Sequence, residues 1–159
     1  MVPDEYIQRL QEASMKKYKL LQEMLLLTQE QSENITEDSI NNLEGLISRK
    51  QEKIDEINRL DHEFNEYFQR FKQGLGVERL DQVENRGIKG VKELQDQVQQ
   101  IVELIREISR IETENSNKAK KLLKHFGEEI GKISQGKKVL SAYRPAPVQM
   151  PSYFIDKKK

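Results

Sequence analysis

Apolar residues recur at helical spacing along most of the chain and predict three long helices. The first helix starts at Pro3-Asp4-Glu5, where a proline suits the first turn and two acids suit the positive end of the helix dipole. Its stripe includes Tyr6, Ile7, Leu10, Ala13, Tyr18, Leu21, Met24 and Leu25. A stripe this broad is typical of a helix that contacts two neighbours. The pattern fades between Gln29 and Asn34, which predicts a turn or a bend there.

The second helix has the most regular pattern. Thr36-Glu37-Asp38 offers a capping residue followed by two acids, a helix-start signal. From Ile40, steps of three and four residues reach Leu43, Ile47, Lys50, Ile54, Ile57, Asp61, Phe64, Phe68 and Phe71. Apart from Lys50 and Asp61, this is a heptad seam, and its phenylalanines are predicted to lie in the core. Gly74-Leu75-Gly76 predicts an end near Gln73.

The third helix is predicted from Val91 onward with the same spacing, interrupted by Glu112 and Asn115. The segment Glu112–Asn117 is therefore a predicted weak point. Beyond it the apolar face continues through Leu122, Leu123, Phe126, Ile130, Ile133, Val139 and Leu140. Glycines in this extension each lower helix propensity by about 1 kcal/mol relative to alanine. We expect it to be helical when packed and frayed when it is not.

These elements place the chain in the all-α class. The predicted architecture is an antiparallel bundle of three long helices, with a softer C-terminal helical extension and a proline-rich tail. Residues 1–141 form the helical bundle or coiled-coil domain, and residues 142–159 form a flexible tail. Prolines prevent the tail from extending the helix. It still carries a short apolar segment that we interpret as an anchor, namely Tyr153, Phe154 and Ile155.

Composition narrows the choice of partners and compartment. Lys plus Arg and Asp plus Glu number 27 each, so no overall field favours nucleic acid, and no nucleic-acid partner is expected. The absence of cysteine excludes disulfides and fits a reducing compartment. The longest apolar run, Leu25 to Leu27, is far short of the roughly 20 residues of a membrane span. Acids near the N-terminus argue against a signal peptide. A cytoplasmic protein without stable membrane insertion is predicted.

The residues that could support catalysis are few. His62 and His125 lie in different predicted helices, and neither is preceded by a glutamate at the spacing of a carboxylate-bridged metal site. We therefore predict no enzymatic activity, metal or cofactor, and interpret Asp61-His62-Glu63 as a solvated helical turn. Lysines stand at positions 118, 120, 121 and 124. We favour interpreting them as cations beside the negative end of a helix dipole over a docking surface for an acidic partner, and both interpretations stay open.

The stripe from Leu122 to Leu140 is the candidate interaction element. A single apolar face on a glycine-rich helix makes a poor core element, and low local stability suits a segment that binds another helix. The residues alone do not decide between this role and a structural cap on the bundle.

Two segments carry a family resemblance. ISQGKKVLSAY (133–143) and SYFIDKKK (152–159) resemble the late helix and the ending of the FlgN family of flagellar export chaperones. The segment LLQEMLLLTQEQSENITEDSINNLEGLISRKQEKIDEINRLDHEF (20–64) resembles the first hairpin of that family. The chain departs from the pattern at Val139, where alanine is usual, and at Tyr153, which is inserted before Phe154.

The resemblance implies a cytoplasmic chaperone of flagellar type III export. Such a chaperone would hold the C-terminal amphipathic segments of the hook–filament junction proteins FlgK and FlgL and present them to the export apparatus. The client-binding residues expected here are Leu122, Leu123, Phe126, Ile130, Ile133, Val139, Leu140 and Tyr143. A FliT-like chaperone is the nearest alternative within this class. From the residues alone, a structural coiled-coil adaptor that oligomerises through the seam from Ile40 to Phe71 is the alternative, and a homodimer stays open.

Overall fold

The computed structural model describes residues 2–83 and 87–127 and contains three long helices. These are α1 (Pro3–Glu33), α2 (Ile40–Leu75) and α3 (Val91–Phe126). Short 3-10 turns occupy Glu37–Ser39 and Leu80–Val83. The all-α class and the three predicted helices are confirmed. The predicted extension beyond Gly127 and the tail lie outside the described residues.

The helix ends follow the predicted signals with small shifts. Pro3 opens α1, and the Glu5 carboxylate accepts a 3.2 Å hydrogen bond from the Val2 backbone N–H. At the end of α2, Gly76 adopts a left-handed conformation with φ of 70°, and its N–H donates to the Gln73 carbonyl at 3.2 Å. Thr36 is extended and leads into the first 3-10 turn, so α2 begins at Ile40.

Both helices are continuous where their apolar stripes are interrupted. The stripe of α1 fades at Gln29, where a turn or a bend is predicted, yet the helix continues to Glu33. Gln31 is buried there. The stripe of α3 breaks at Glu112–Asn117, the predicted weak point, and the helix runs unbroken through it. In both places polar residues lie in the interior of the bundle. Packing against the neighbouring helices stabilises each helix there despite the interruption of its apolar pattern.

The three helices run up, down and up. At one pole, Ile7 and Leu10 of α1 pack in the same cluster as Phe71 of α2 and Leu94 of α3. At the other pole, Ser32 of α1 hydrogen-bonds to Asn115 of α3. Consecutive helices are therefore antiparallel, as predicted, and α1 and α3 are parallel. The closest backbone approaches are those of α1 with α2 and of α1 with α3, so α1 is the shared helix.

The buried side chains form three clusters along the bundle. The first cluster surrounds Leu10, Phe68, Phe71 and Leu94, and it confirms the predicted core role of the phenylalanines. The middle cluster surrounds Leu21, Met24, Ile57 and Ile105. The terminal cluster is smaller and comprises Ile35, Ile40, Leu43 and Ala119, with Ile47 and Leu122 packed against it. Among the described residues, the clusters therefore become smaller toward the pole at which α3 ends.

Gly90 fixes the entry into α3 against α1. Its φ is 87°, and its carbonyl accepts a 2.9 Å hydrogen bond from Gln11 Nε2. A Cβ built at this position would lie 2.6 Å from Gln11 Nε2 and 2.9 Å from Ile7 Cγ2. Both the backbone conformation and the close approach of α1 therefore require glycine here.

Candidate functional site

The end of α3 carries the described part of the predicted client-binding stripe. Leu122 and Leu123 are half-buried, and Leu122 packs against the terminal cluster. Phe126 is the last residue of α3. The side chain of Phe126 lies outside the described residues, as do Ile130, Ile133, Val139, Leu140 and Tyr143 and the predicted anchor residues Tyr153, Phe154 and Ile155. Of the predicted client-binding residues, the structure thus describes the side chains of Leu122 and Leu123.

Polar contacts hold this end of α3 to the rest of the bundle. Lys118 Nζ donates a 3.0 Å hydrogen bond to the carbonyl of Ser32 in the last turn of α1. His125 Nε2 lies 2.9 Å from a carboxylate oxygen of Glu37 in the 3-10 turn before α2. Lys120, Lys121 and Lys124 are exposed. Since cations are favourable beside the negative end of a helix dipole, these lysines suit the last turns of α3.

A buried polar layer separates the terminal cluster from the middle cluster. Lys50 of α2 is buried, pairs with Glu112 of α3 and donates a 3.1 Å hydrogen bond to Gln31 Oε1 of α1. One turn further along α3, Asn115 is fully buried and its Nδ2 donates to the Thr28 carbonyl at 3.1 Å. We call these residues the polar layer. It joins all three helices at one level of the bundle.

The hydrogen-bonding groups around Asn115 in the polar layer also have partners. Ser32 Oγ donates to Asn115 Oδ1, and Thr28 Oγ1 donates to the Met24 carbonyl at 2.7 Å. Buried polar groups are costly unless they find partners, and here each has one. Such a layer fixes the register of the helices because sliding any helix by one turn would leave these groups unpaired.

Burial changes the acid–base behaviour of Lys50. Loss of hydration disfavours the charged ammonium and lowers the pKa of Lys50 to about 7. The neighbouring Glu112 carboxylate favours the charged form and acts in the opposite direction. The polar layer therefore contains a buried amine, that of Lys50, that titrates near neutral pH.

A second polar contact explains the other interruption of the α2 seam. Asp61 accepts a 2.7 Å hydrogen bond from the ammonium of Lys17, whose side chain is only 8% exposed. His62 and Glu63 are exposed, as expected of a solvated turn, whereas Asp61 is half-buried and helps to hold α2 against α1. Sequence reasoning identified both polar positions in the seam, but it missed their partners on other helices.

The described residues offer no constellation for metal binding. Among residues 2–83 and 87–127, no group of three or more His, Cys, Asp or Glu side chains is placed to hold an ion. His62 Nε2 lies 3.3 Å from a carboxylate oxygen of Glu66 on the exposed face of α2. No helix within the described ranges combines the length and apolar character that crossing a membrane requires.

These features define a class: an elongated helical bundle whose buried polar groups hold the helices in register and whose third helix carries two half-buried leucines, Leu122 and Leu123, near its end. Comparison with known families identifies the class more closely. The family model described as FlgN protein matches residues 1–147. The chain therefore belongs to the FlgN family, a family of flagellar export chaperones. Searches of curated proteins and of solved structures returned no match.

Proposed function

We propose that this protein binds the C-terminal amphipathic helices of the hook–filament junction proteins FlgK and FlgL in the cytoplasm and keeps them unassembled before export. The observation that carries the proposal is the family match over residues 1–147, which covers the three helices and all of the predicted apolar stripe from Leu122 to Leu140. The export apparatus is the second partner in this proposal. No energy source or active site is needed, because masking an apolar helix requires only a complementary surface.

The shape of the α3 end supports this role. Leu122 and Leu123 are half-buried beside the terminal cluster, which has four buried members in the described part of the chain. Their open apolar surface lies at the start of the stripe that the sequence predicts from Leu122 to Leu140. A client helix can therefore supply the missing apolar face, and the ordering cost of a marginal helix moderates affinity and permits release.

The alternative of a structural adaptor loses its proposed interface. That hypothesis requires the α2 seam for oligomerisation, yet Leu43, Ile57 and Phe68 of the seam are fully buried within the bundle of one chain. A surface that is already covered cannot recruit a second chain without unfolding the first. The seam therefore supports a monomeric bundle core rather than a coiled-coil oligomer.

The test is a binding experiment with purified components. The full chain is mixed with purified FlgK or FlgL of the same organism, and complex formation is measured by calorimetry and by size-exclusion chromatography. We expect a stable complex, and the variant Ile133→Asp should lose it because a charge interrupts the apolar stripe. The control Lys132→Asp places the same charge beside the stripe and should retain binding. If neither client binds the unmodified chain, the proposal is wrong.

A further inference from the structure

The outward face of α1 carries a line of exposed residues at the spacing of a two-helix contact. Steps of four and three residues alternate along it from one end of the helix to the other. We call this line the outer seam: Gln8, Glu12, Met15, Lys19, Gln22, Leu26, Gln29 and Glu33, all exposed. Among the described residues only three large apolar side chains are exposed, and the outer seam holds two of them, Met15 at 62% and Leu26 at 61%.

The outer seam matches a second copy of itself in the antiparallel direction. A two-fold axis that passes between Leu20 and Leu21 brings Met15 of one copy opposite Leu26 of the other. Every other seam position then also lies opposite a seam position of the second copy: Lys19 opposite Gln22, Glu12 opposite Gln29, and Gln8 opposite Glu33. Because the axis is two-fold, each of these contacts occurs twice. The two exposed apolar residues therefore cover each other at two levels.

Charge on the α2 side of the outer seam is self-complementary. Four residues flank the seam there at intervals of seven: Arg9, Lys16, Glu23 and Glu30. In the same antiparallel arrangement, Lys16 of one copy lies within about 3 Å of the level of Glu23 of the other, measured along the helix, and Arg9 lies equally close to the level of Glu30. Glu23 already holds Lys53 of α2 at 2.9 Å, but its side chain is 40% exposed and open to a second cation. Both basic residues of this edge thus face acidic ones.

The α3 side of the outer seam is uncharged. It carries Gln11, Tyr18, Leu25 and Ser32 at the same interval of seven. Tyr18 and Leu25 are half-buried against the middle cluster and keep part of their surface open. The two-fold axis brings Tyr18 of one copy within about 3 Å of the level of Leu25 of the other. These two residues therefore widen the apolar contact that Met15 and Leu26 begin.

A parallel pair of α1 helices lacks this complementarity. Identical seam residues would face each other, so Lys19 would oppose Lys19, and Glu12 would oppose Glu12. Each flanking charge on the α2 side would then face the uncharged α3 side of the other copy. Like charges held opposite each other are unfavourable. The charge pattern therefore selects the antiparallel direction.

We infer that two copies of this chain pair antiparallel through the outer seam of α1, about a two-fold axis between Leu20 and Leu21. The seam of α2 stays inside each bundle, so each chain keeps its own core. A contact of one helix per chain lies at the low end of specific interfaces, about 1,200 Å² in total, and exposed ion pairs contribute little each. The dimer is therefore reversible and forms at high protein concentration. This inference goes beyond the proposed function and involves no client.

The first test measures the mass of the full chain by sedimentation equilibrium from about 1 µM to about 500 µM, a range that covers weak association. We expect the mass to rise from that of one chain toward twice that value. Leu26→Lys should weaken the dimer at least about 10-fold, since it places a charge in both apolar levels. A chain that stays monomeric over the whole range, or a dimer that Leu26→Lys leaves unchanged, would overturn the inference. Circular dichroism verifies that each variant is folded.

The second test uses charge reversal. Lys16→Glu and Glu23→Lys should each weaken self-association about 10-fold, because each places like charges together twice. An equimolar mixture of these two variants should dimerise about as well as the native chain, since every reversed residue then meets its opposite. The matched control Lys92→Glu makes the same charge change at an exposed position of α3 and should leave association unchanged. Failure of the mixture to recover, or an equal loss in the control, would contradict the arrangement.

The third test determines direction and uses the absence of cysteine in the chain. Under mild oxidation, Met15→Cys/Leu26→Cys should form disulfide-linked dimers at least 10-fold faster than either single variant, as followed on non-reducing gels. In the antiparallel arrangement the two copies of Met15 lie about 16 Å apart along the helix, too far for a disulfide. Single variants that cross-link as fast as the double variant would show a parallel pair and overturn the inference. All three tests lack a client, so their failure leaves the proposed function untouched.

Discussion

Lys50 of α2 and Glu112 of α3 form an ion pair inside the bundle, and each is one of the polar residues that interrupt the apolar stripe of its helix. Their contact links the two helices whose backbones approach each other less closely than either approaches α1. Gln31 of α1 completes the arrangement through its hydrogen bond to Lys50. Two interruptions of separate apolar stripes are thus a single interaction in the folded protein.

Removing one partner of this ion pair should destabilise the bundle strongly. Lys50→Met leaves the Glu112 carboxylate without its cation in a partly buried position, and we expect a loss of about 3 kcal/mol in unfolding free energy. The double variant Lys50→Met/Glu112→Leu removes both charges and should recover most of that loss. Urea denaturation monitored by circular dichroism gives both values.

A matched control is available on the surface. Lys53→Met breaks the ion pair of Lys53 with Glu23, in which both side chains are at least 32% exposed. Because exposed ion pairs contribute little, the change should be within about 0.5 kcal/mol. A double variant at positions 50 and 112 as unstable as the single variant would contradict the assigned role of the pair.

Lys50 should also make stability depend on pH. Burial lowers its pKa to about 7 in the folded chain, from an ordinary value of 10.5. Between these values the unfolded chain binds more protons than the folded chain, so the unfolding free energy contributed by Lys50 rises with pH. We expect urea denaturation from pH 7 to pH 10 to show the native chain gaining stability relative to Lys50→Met/Glu112→Leu. A constant difference across that range would contradict a lowered pKa.

Two glycines should respond in opposite directions to the same substitution. Gly90→Ala introduces a Cβ within 2.9 Å of Ile7 at a positive φ, and we expect a loss of about 1–3 kcal/mol. Gly45→Ala lies in an exposed part of α2 with no atom within 4 Å of the added Cβ, and we expect a gain of about 1 kcal/mol. Thermal unfolding of the two variants checks both signs, and a stabilised Gly90→Ala would refute the close contact between α1 and the start of α3.

Leu122 and Leu123 should separate stability from client binding. Leu122 packs against the terminal cluster, so Leu122→Ala should cost about 1 kcal/mol and lower the melting temperature by several degrees. Leu123 points about 100° away around the helix. If the proposed function holds, Leu123→Ser should weaken client binding about 10-fold with a smaller effect on melting. Calorimetric titration with FlgK and a melting curve for each variant provide the two measurements, and equal client affinity in Leu123→Ser and the native chain would remove Leu123 from the interface.

Periodicity was sufficient for the architecture. The seam from Ile40 to Phe71 predicted the length of α2, and the broad stripe of α1 predicted its two neighbours, because burial of an apolar face depends on spacing alone. Periodicity was insufficient where polar residues enter the interior. A polar residue in a seam, such as Lys50 or Asp61, interrupts the pattern, and the sequence does not show its partner. The partner of Lys50 lies 62 positions away in the chain, and that of Asp61 lies 44 positions away.

The candidate site was less accessible to sequence reasoning for a related reason. The stripe from Leu122 onward was visible from its spacing, but the packing of Leu122 on the terminal cluster depends on where α1 and α2 meet. The exposed apolar residues of α1 were hidden for the opposite reason. In the sequence they merge with the core stripe, and only the fold shows that Met15 and Leu26 face outward while Leu21 and Met24 face inward.

Three traverses of the bundle place Val2 and Gly127 at opposite poles, about 50 Å apart along the helix axes. That separation exceeds the diameter of a small folded domain, roughly 30 Å. If the proposed function holds, a client bound at the pole near Gly127 leaves the pole near Val2 open for contact with the export apparatus.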